Sequence, residues 1–326
     1  MTPLRFGVVG CGAIVTLYQL PALQRCRSLT LVGLVDRDRA WAAQVARKAR
    51  VPAAYDDHRS LVGEVDAVLV ATPNTTHADI VCDLLAQGIH VLCEKPLGTT
   101  GAEVERMLDA AAKGGARLMT GHCLRFSPNL ELLKTVVDQG WIGHVQGVQA
   151  AIGQPYQGVA RRTDFRRQRA LSGGGVLMDL GVHVLDLTVW LAGRAPVSVE
   201  YAASSVDGWE VETDAEVGLR FPDDARASLQ ASFSSLQGNS LIVRGTKGWA
   251  RASLYLTTEL TLFAEEARIC RRTGLQTIRL PDRNMYDAQI AHFCRAIATG
   301  EPFRVRDDEV RATIGVIDDC YGRMAA

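Results

Sequence analysis

The stretch IHVLCEKPL, residues 89–97, decides how this chain folds. Its apolar residues 89–92 predict a short buried strand, which ends at the charged pair Glu94 and Lys95 followed by Pro96. Proline cannot donate a ladder hydrogen bond, so it ends the strand, and it narrows the backbone conformations of Lys95. Because ligands bind at the carboxyl ends of strands in open α/β sheets, we expect Lys95 at a functional site. A single loop lysine is more often only solvated, so this hypothesis needs support from the rest of the chain.

The composition is that of a soluble globular protein with roughly two domains. Of the 326 residues, 47% are apolar and 22% are charged, and 36 Lys and Arg balance 36 Asp and Glu. Balanced charge predicts no attraction to nucleic acid or to a membrane surface. The sequence contains no run of about 18 apolar residues, so no membrane-spanning helix is predicted. The amino terminus lacks the features of a signal peptide, and the eight cysteines include no C-x-x-C pair. We therefore predict a cytoplasmic protein without disulfides and without a metal site.

A glycine turn near the amino terminus predicts a dinucleotide site. The apolar strand 4–9 runs into GCGAI at 10–14, and a helical pattern follows. Gly10 permits a tight turn, and Gly12 lets the backbone approach a pyrophosphate that rests on the helix N-terminus. Val15 stands at the third glycine position, which is a departure from the fingerprint. The predicted cofactor contacts in this turn are Gly10, Gly12, Ala13 and Ile14.

An acidic residue after the second strand favours NAD as the cofactor. The strand 31–35 ends at Asp36, which lies 24 residues after Gly12. A carboxylate at this place accepts hydrogen bonds from the ribose hydroxyls and repels a 2′-phosphate. The next residue, Arg37, could contact the adenine or pair with that phosphate, so NADP stays open.

Strands alternate with helical segments through the first 122 residues. The pattern predicts helices at 39–50, 76–87 and 100–113, and strands at 66–70 and 117–120. Strands separated by helices of about 10–15 residues predict a parallel, doubly wound sheet. Such a sheet brings together Gly10, Asp36, the 72–74 segment, Lys95 and His122 at one edge.

The second half has a different pattern. A helix is predicted at 127–138 and a strand at 145–152, followed by an aromatic, arginine-rich loop at 156–169 over the site. Its arginines are more typical of a solvated face than of a phosphate site. They are Arg161, Arg162, Arg166, Arg167 and Arg169.

A glycine run opens the next predicted helix, residues 176–192. Ser172 and three glycines precede it, and Asp179 and His183 share one face of it because they stand four residues apart. We interpret the glycines as a place where the chain passes close to a bound ring. A histidine held by a neighbouring backbone is the ordinary alternative for His183, but the carboxylate and the glycine run favour a site.

Period-two alternation predicts a second sheet. It is clearest at 211–221 and 226–233, with further strands at 241–243, 249–254 and 260–263. One face is expected to pack on the helix 176–192, and the other, carrying Ser228, Gln230 and Ser232, to be solvated or a subunit contact. Helices at 284–299 and 307–324 are predicted to close the chain.

Five motifs carry a family resemblance. They are GCGAI at 10–14, ATPNTTH at 71–77, CEKPLG at 93–98, GHCLRFSP at 121–128 and GGGVLMDLGVHVLD at 173–186. On these motifs the chain resembles, over nearly its whole length, the Gfo/Idh/MocA family, named for glucose–fructose oxidoreductase and inositol dehydrogenase. The combination of E-K-P with the glycine-run D-x-x-x-H is far more specific than G-x-G alone.

The resemblance implies a Rossmann domain at 1–122 and an α/β domain at 123–326. The second domain would carry a large open, mainly antiparallel sheet, often used to form a homodimer or homotetramer, and its last helix is expected to pack back on the first domain. Further cofactor contacts are expected in the motifs after the strands, at Thr72, Pro73, Asn74, His77, Glu94 and Lys95.

The resemblance also implies NAD(P)-dependent oxidation or reduction of a sugar, inositol or related glycoside at a secondary alcohol. The family's catalytic residues correspond to Lys95, Asp179 and His183. His183 is expected to be the general acid/base, Lys95 to stabilise the alkoxide, and Asp179 to orient His183 or hold a substrate hydroxyl. Further substrate contacts are expected at His122, Arg125 and Tyr156.

Two other functions stay open at this point. The first is a non-catalytic regulator that binds a dinucleotide, which an intact Lys95, Asp179 and His183 disfavours. The second is an NAD-dependent glycosidase, whose glycine–histidine motif the sequence does not show. Net NADH production, as opposed to sugar release, separates the dehydrogenase from the glycosidase.

Overall fold

The first half of the protein is built on a parallel six-stranded sheet. In the computed structural model, which describes residues 2–156, 164–265 and 273–324, the strand order is β3-β2-β1-β4-β5-β6. The strands are β1 (Leu4–Val9), β2 (Leu29–Val35), β3 (Ala53–Tyr55), β4 (Ala67–Val70), β5 (His90–Glu94) and β6 (Leu118–Gly121). The helices between them are α1 (Leu20–Arg25), α2 (Arg39–Ala49), α3 (His77–Ala86) and α4 (Gly101–Gly114). The predicted doubly wound sheet is confirmed.

The order of the strands reverses at β1, which pairs with both β2 and β4. Gly10 follows β1 with φ +98°, and a Cβ atom there would lie 2.3 Å from the Ala71 carbonyl oxygen after β4. Only glycine fits this close approach of two strand ends. The residues after the turn first form a π-helical segment, Val15–Gln19, and then continue as α1. In sheets of this type the reversal point is where a dinucleotide binds.

The second half contains an eight-stranded sheet in the order β14-β13-β12-β11-β7-β10-β9-β8. Its strands are β7 (Val145–Gly153), β8 (Ser198–Ser204), β9 (Asp214–Arg220), β10 (Arg226–Ser232), β11 (Ser240–Gly245), β12 (Gly248–Ser253), β13 (Glu259–Ala264) and β14 (Gly274–Arg279). Among the described residues, β7 and β10 form the one parallel pair of this sheet, so the mainly antiparallel sheet is confirmed. Sequence reasoning missed β3, β8 and β14 and began β9 three residues early.

The remaining helices cover one face of this sheet and return to the first domain. They are α5 (Pro128–Asp138), α6 (Arg169–Ser172), α7 (Val182–Ala192), α8 (Met285–Thr299) and α9 (Asp307–Met324). Helix α7 packs on β7 and β10. The helix predicted at 176–192 begins instead with a π-helical segment, Leu177–Gly181, which carries Asp179. On α9, Asp318 accepts a hydrogen bond from the Gly101 backbone N–H at 2.7 Å.

The helical stretch Arg169–Ala192 is apolar enough, by length and composition, to cross a membrane. However, 83% of its apolar window is buried inside the protein. Residues such as Leu185, Leu187 and Leu191 are almost fully enclosed. This burial is typical of the central helix of a globular core, which is apolar on all sides because it is covered on all sides.

The uncovered face of the large sheet differs from expectation at one residue. Ser228 and Gln230 are exposed there, but Ser232 is buried at 2% exposure. The Ser232 hydroxyl donates to Asp214 Oδ1 at 2.6 Å and accepts from the Ser235 backbone N–H at 2.9 Å. The prediction that the Ser232 side chain is solvated or in a subunit contact is therefore wrong, because a local turn encloses it.

Candidate functional site

Lys95 and Asp179 meet at the junction of the two halves. The Lys95 Nζ atom donates to Asp179 Oδ1 at 3.0 Å and to the Asp179 carbonyl oxygen at 2.7 Å. Their side chains are 13% and 17% exposed. Lys95 lies at the end of β5, where its peptide bond to Pro96 is cis. Residues 84 positions apart in the sequence thus form one charged pair at the edge where ligands bind.

Arg166 is a third charged residue at this junction, and sequence reasoning missed it. Its Nε atom donates to Asp179 Oδ2 at 2.6 Å, and its side chain is 24% exposed. The interpretation of the arginines as a solvated face is therefore wrong for Arg166. It holds for Arg169, which is exposed, while Arg167 is partly buried over the Trp209 ring. Arg161 and Arg162 lie outside the described residues.

The two cations keep Asp179 ionised. Burial alone would raise the pKa of this carboxyl group, but Arg166 and Lys95 hold its pKa well below the usual range. Both carboxylate oxygens are used by these cations, so Asp179 makes its strong contacts away from His183. The expected role of Asp179 in orienting His183 by a direct hydrogen bond has no support in this geometry.

His183 lies one turn after Asp179 and is partly exposed. Burial lowers its pKa well below the ordinary value, and the nearby charge of Lys95 and the neighbouring His122 lower it further. The imidazole is therefore neutral at pH 7. Its Nδ1 atom is buried and has no hydrogen-bond partner among the residues that the structure describes.

His122 is almost fully buried close to Lys95 and His183. It is 2% exposed, and its Nε2 atom lies 3.4 Å from Asp186 Oδ1. Burial, and then the charges of Arg125 and Lys95, lower the pKa of His122 well below its ordinary value. The structure thus brings His122 close to Lys95 and His183, but its burial leaves the expected substrate contact at His122 without support.

Arg125 is enclosed in the protein interior. It is 0% exposed, its Nη2 atom donates to Asp186 Oδ1 at 2.6 Å, and its Nη1 atom donates to Glu309. The expectation of a substrate contact at Arg125 is corrected to a buried ion pair that joins α7 to α9. The sequence places its acidic partners 61 and 184 residues away, so no local pattern could show this.

The glycine run is occupied by the protein's own atoms. A Cβ on Gly175 would lie 1.9 Å from the Glu212 carbonyl oxygen, and one on Gly174 would lie 2.1 Å from the Tyr321 hydroxyl. The interpretation of a bound ring against these glycines is therefore wrong. The Glu212 carboxylate accepts from the Gly175 and Leu177 backbone N–H groups and from Tyr321. These contacts position the start of the segment that carries Asp179.

The residues of the glycine turn fit a dinucleotide. A Cβ on Gly12 would meet no atom within 4 Å, so the space in front of the helix N-terminus is open. Asp36 lies beside the turn, where its Oδ2 atom accepts from the Cys11 backbone N–H at 3.0 Å. Arg37 is exposed next to it. Residues of this turn can hold a pyrophosphate while Asp36 faces a ribose.

The other predicted cofactor contacts fall into two groups, one partly exposed and one buried. Thr72 and Pro73 are partly exposed, whereas the Asn74 amide donates to the Ser172 carbonyl oxygen at 2.8 Å. The two ring nitrogens of His77 lie 2.9 Å from the carbonyl oxygens of Pro96 and Thr72. Glu94 is also buried, and it accepts from Gln19. We therefore infer that Asn74, His77 and Glu94 shape the loops of the cofactor site from beneath.

Tyr156 belongs to an aromatic group at the side of the junction. Its ring lies 4.9 Å from Trp209 and 5.4 Å from Phe233, measured between centroids. The hydroxyl donates to Asp164 Oδ1 at 2.5 Å. Tyr156 is partly exposed. Among the described residues, no group of three or more His, Cys, Asp or Glu is arranged to hold a metal.

Comparisons with known proteins agree with this fold. Residues 4–122 match the family described as "Oxidoreductase family, NAD-binding Rossmann fold", and residues 130–251 match the "GFO/IDH/MocA C-terminal domain". The trans-1,2-dihydrobenzene-1,2-diol dehydrogenase of Mus musculus is 32% identical over 80% of this chain and 78% of its own length. The chain therefore belongs to the Gfo/Idh/MocA family of oxidoreductases, and its first half is an NAD-binding Rossmann domain.

Two further relatives cover almost the whole chain. The D-xylose 1-dehydrogenase (NADP(+)) 2 of Haloferax volcanii is 28% identical over 98% of this chain and 96% of its own length. The crystal structure of aldose-aldose oxidoreductase from Caulobacter crescentus, complexed with glycerol, is 26% identical and superposes with a TM-score of 0.89. It covers 99% of this chain and 98% of its own. The protein is thus an NAD(P)-dependent oxidoreductase of this family.

Proposed function

We propose that this protein transfers a hydride between NAD(P) and a secondary alcohol or ketone of a sugar, inositol, cyclic diol or related glycoside. The observation that carries the proposal is the Lys95–Asp179 pair at the junction, with His183 one turn further along the same segment. Relatives named as diol, xylose and aldose oxidoreductases support the substrate class. Bound NAD(P) supplies the hydride acceptor, and residues of this chain bind and transfer the proton.

In the proposed mechanism, His183 removes the hydroxyl proton during alcohol oxidation. Its lowered pKa keeps it neutral, which is the form that accepts a proton. Lys95 donates a hydrogen bond to the same oxygen and stabilises the alkoxide as charge develops there. Two of the three Lys95 protons already contact Asp179, so one is left for the substrate. His122 is buried close to Lys95 and His183 and has no assigned role in the proton transfer.

The proposed cofactor preference is NAD. Asp36, beside the glycine turn, repels a 2′-phosphate, although Arg37 is exposed next to it. The proposed site of action is the cytoplasm, on the basis of the composition and scattered cysteines.

The test is a panel of alcohols assayed for NADH absorbance with NAD and with NADP. The panel holds aldoses, inositols, a trans-cyclohexadiene diol and alkyl glycosides. The expected result is NADH formation with at least one class, and a higher kcat/KM with NAD than with NADP. Release of free sugar from a glycoside without net NADH would identify a glycosidase. NAD binding without turnover of any alcohol or ketone would identify a regulator.

A further inference from the structure

Arg166 reaches the catalytic junction from the segment that precedes α6. Its Nε atom donates to Asp179 Oδ2 at 2.6 Å, while Lys95 donates to Asp179 Oδ1 at 3.0 Å. The Arg166 guanidinium also lies over the Phe165 ring, 4.7 Å from its centroid. One carboxylate is therefore held by two cations, one on each oxygen, and all three side chains are mostly buried.

This arrangement fixes the direction of the Lys95 ammonium group. Lys95 contacts both the carboxylate and the backbone carbonyl oxygen of Asp179, so its third proton has a defined direction. A carboxylate bonded on one side only can rotate about its last torsion, which is broad for aspartate. Arg166 removes that freedom by occupying Oδ2.

We propose that Arg166 is a positioning residue for catalysis, which holds Asp179 so that Lys95 points at the reacting oxygen. The inference rests on the proposed function. Without Arg166, Oδ2 loses its partner in a mostly buried place, and both carboxylate oxygens turn to Lys95. The ammonium group then moves away from the substrate, and a displacement of about 1 Å at a reacting centre costs on the order of 10² in rate.

Charge gives a second reason for the same role. Lys95 and Arg166 carry two positive charges, and Asp179 carries one negative charge, so the junction holds one excess positive charge. An alkoxide that develops nearby is stabilised by this excess in a poorly solvated place. Replacing Arg166 by a neutral residue makes the group neutral overall. Arg166 thus has two effects: it fixes the position of Lys95, and it supplies the excess positive charge that stabilises the alkoxide.

The test compares Arg166→Gln with Arg169→Gln, using an alcohol that the wild-type protein oxidises. Arg169 is three residues away and exposed, so its variant makes the same charge change outside the junction. We expect kcat to fall on the order of 10² in Arg166→Gln and to change less than about twofold in Arg169→Gln. The Kd for NADH should be unchanged in both, because the glycine turn lies elsewhere.

Chemical rescue separates positioning from folding. Ethylguanidine should restore part of kcat in Arg166→Ala, because it can occupy the space of the missing guanidinium, and should not restore Lys95→Ala. Arg166→Lys should recover only part of the rate, since an ammonium does not reproduce the planar guanidinium over Phe165.

Three results would overturn the inference while leaving the proposed function intact. The first is near-normal kcat in Arg166→Gln, and the second is an equal loss in Arg169→Gln. The third is a folded Arg166→Ala variant whose kcat is not raised by ethylguanidine, together with an Arg166→Lys variant whose kcat is no higher than that of Arg166→Ala. A wild-type protein that turns over no alcohol or ketone instead refutes the proposed function and the inference together.

Discussion

Lys95 and His183 come from different halves of the chain, yet the proposed chemistry needs both at one substrate oxygen. Lys95→Ala should lower kcat by a factor on the order of 10² to 10³, the loss found when one preorganised oxyanion donor is removed. His183→Ala should lower kcat by a factor of about 10² to 10⁴. NADH binding, measured by fluorescence, should be nearly unchanged in both, because the cofactor turn lies at residues 10–14.

The double variant gives the sharper result. Because both residues act on the same oxygen, its loss should be much smaller than the product of the two single losses. Strictly multiplicative losses in steady-state assays would mean that the two side chains act at different places or in different steps. Near-normal turnover in either single variant would remove that residue from the mechanism.

The pH dependence of alcohol oxidation should follow His183. Its pKa is well below 6.5, first because it is buried and then because Lys95 and His122 lie nearby. A group with a lowered pKa stays neutral until the pH falls through that lowered value. We therefore expect kcat/KM for oxidation to stay level from neutral pH down to about 6.5 and to fall only below it.

The neighbouring His122 offers a control for this assignment. His122→Asn keeps a polar group near Asp186 but removes one of the influences that lower the pKa of His183. The acid limb should move to higher pH in this variant. An acid limb above pH 7 in the wild-type protein, or no movement in His122→Asn, would contradict the role given to His183.

At the level of helices and strands, the start of the segment that carries Asp179 depends on one buried acid. Glu212 is 1% exposed and accepts hydrogen bonds from the Gly175 and Leu177 backbone N–H groups and from the Tyr321 hydroxyl. In Glu212→Gln an amide NH₂ group faces these donors and leaves some of them without a partner. Unfolding in urea should show a loss of about 2–4 kcal/mol.

Glu210 is the matched control, because it is an exposed glutamate two residues away. Among the described residues, its carboxylate accepts one hydrogen bond, from the Arg169 backbone N–H. Glu210→Gln should change the free energy of unfolding by less than about 0.5 kcal/mol. Equal effects of the two replacements would show that the Glu212 contacts do not hold the segment.

The sequence predicted the parallel sheet well because glycines, prolines and apolar runs mark each turn from strand to helix. It failed where local pattern is weak. Strand β3 has three residues, and the edge strand β14 alternates between partly buried and exposed positions, so neither shows a clear apolar period. The π-helical start before α7 also has no signature in the residue order.

The candidate site shows the same division. Lys95, Asp179 and His183 stand in recognisable motifs, and the fold brings them together. Arg166 stands in an aperiodic run of arginines, where a solvated side chain is the ordinary expectation, and only its contact with Asp179 reveals its place. The predicted substrate contact at Arg125 is wrong because a sequence motif can mark a residue as important without showing which atoms its side chain contacts. A pairing signal between Arg125, Asp186 and Glu309 across related sequences could have shown it.

For the whole molecule, we propose that the open face of the large sheet forms a homodimer or homotetramer. Trp249, Phe263 and Leu275 lie opposite one another on β12, β13 and β14, and register places them on the same face as Ser228. The Trp249 and Phe263 rings stack at 6.5 Å, and Leu275 is 67% exposed. An apolar row of this kind on an uncovered sheet is typical of a protein interface.

A single charge in this row should separate the subunits. Leu275→Glu introduces a carboxylate that burial against a partner would desolvate, so light scattering at micromolar concentration should show a smaller species than the wild-type protein. Leu236→Glu is the control, because Leu236 is 75% exposed in the loop after β10 and lies off this row. A monomeric wild-type protein would exclude the interface. An oligomer that Leu275→Glu leaves unchanged would place the contact on another surface, since a glutamate in the centre of an apolar row cannot be buried without a partner.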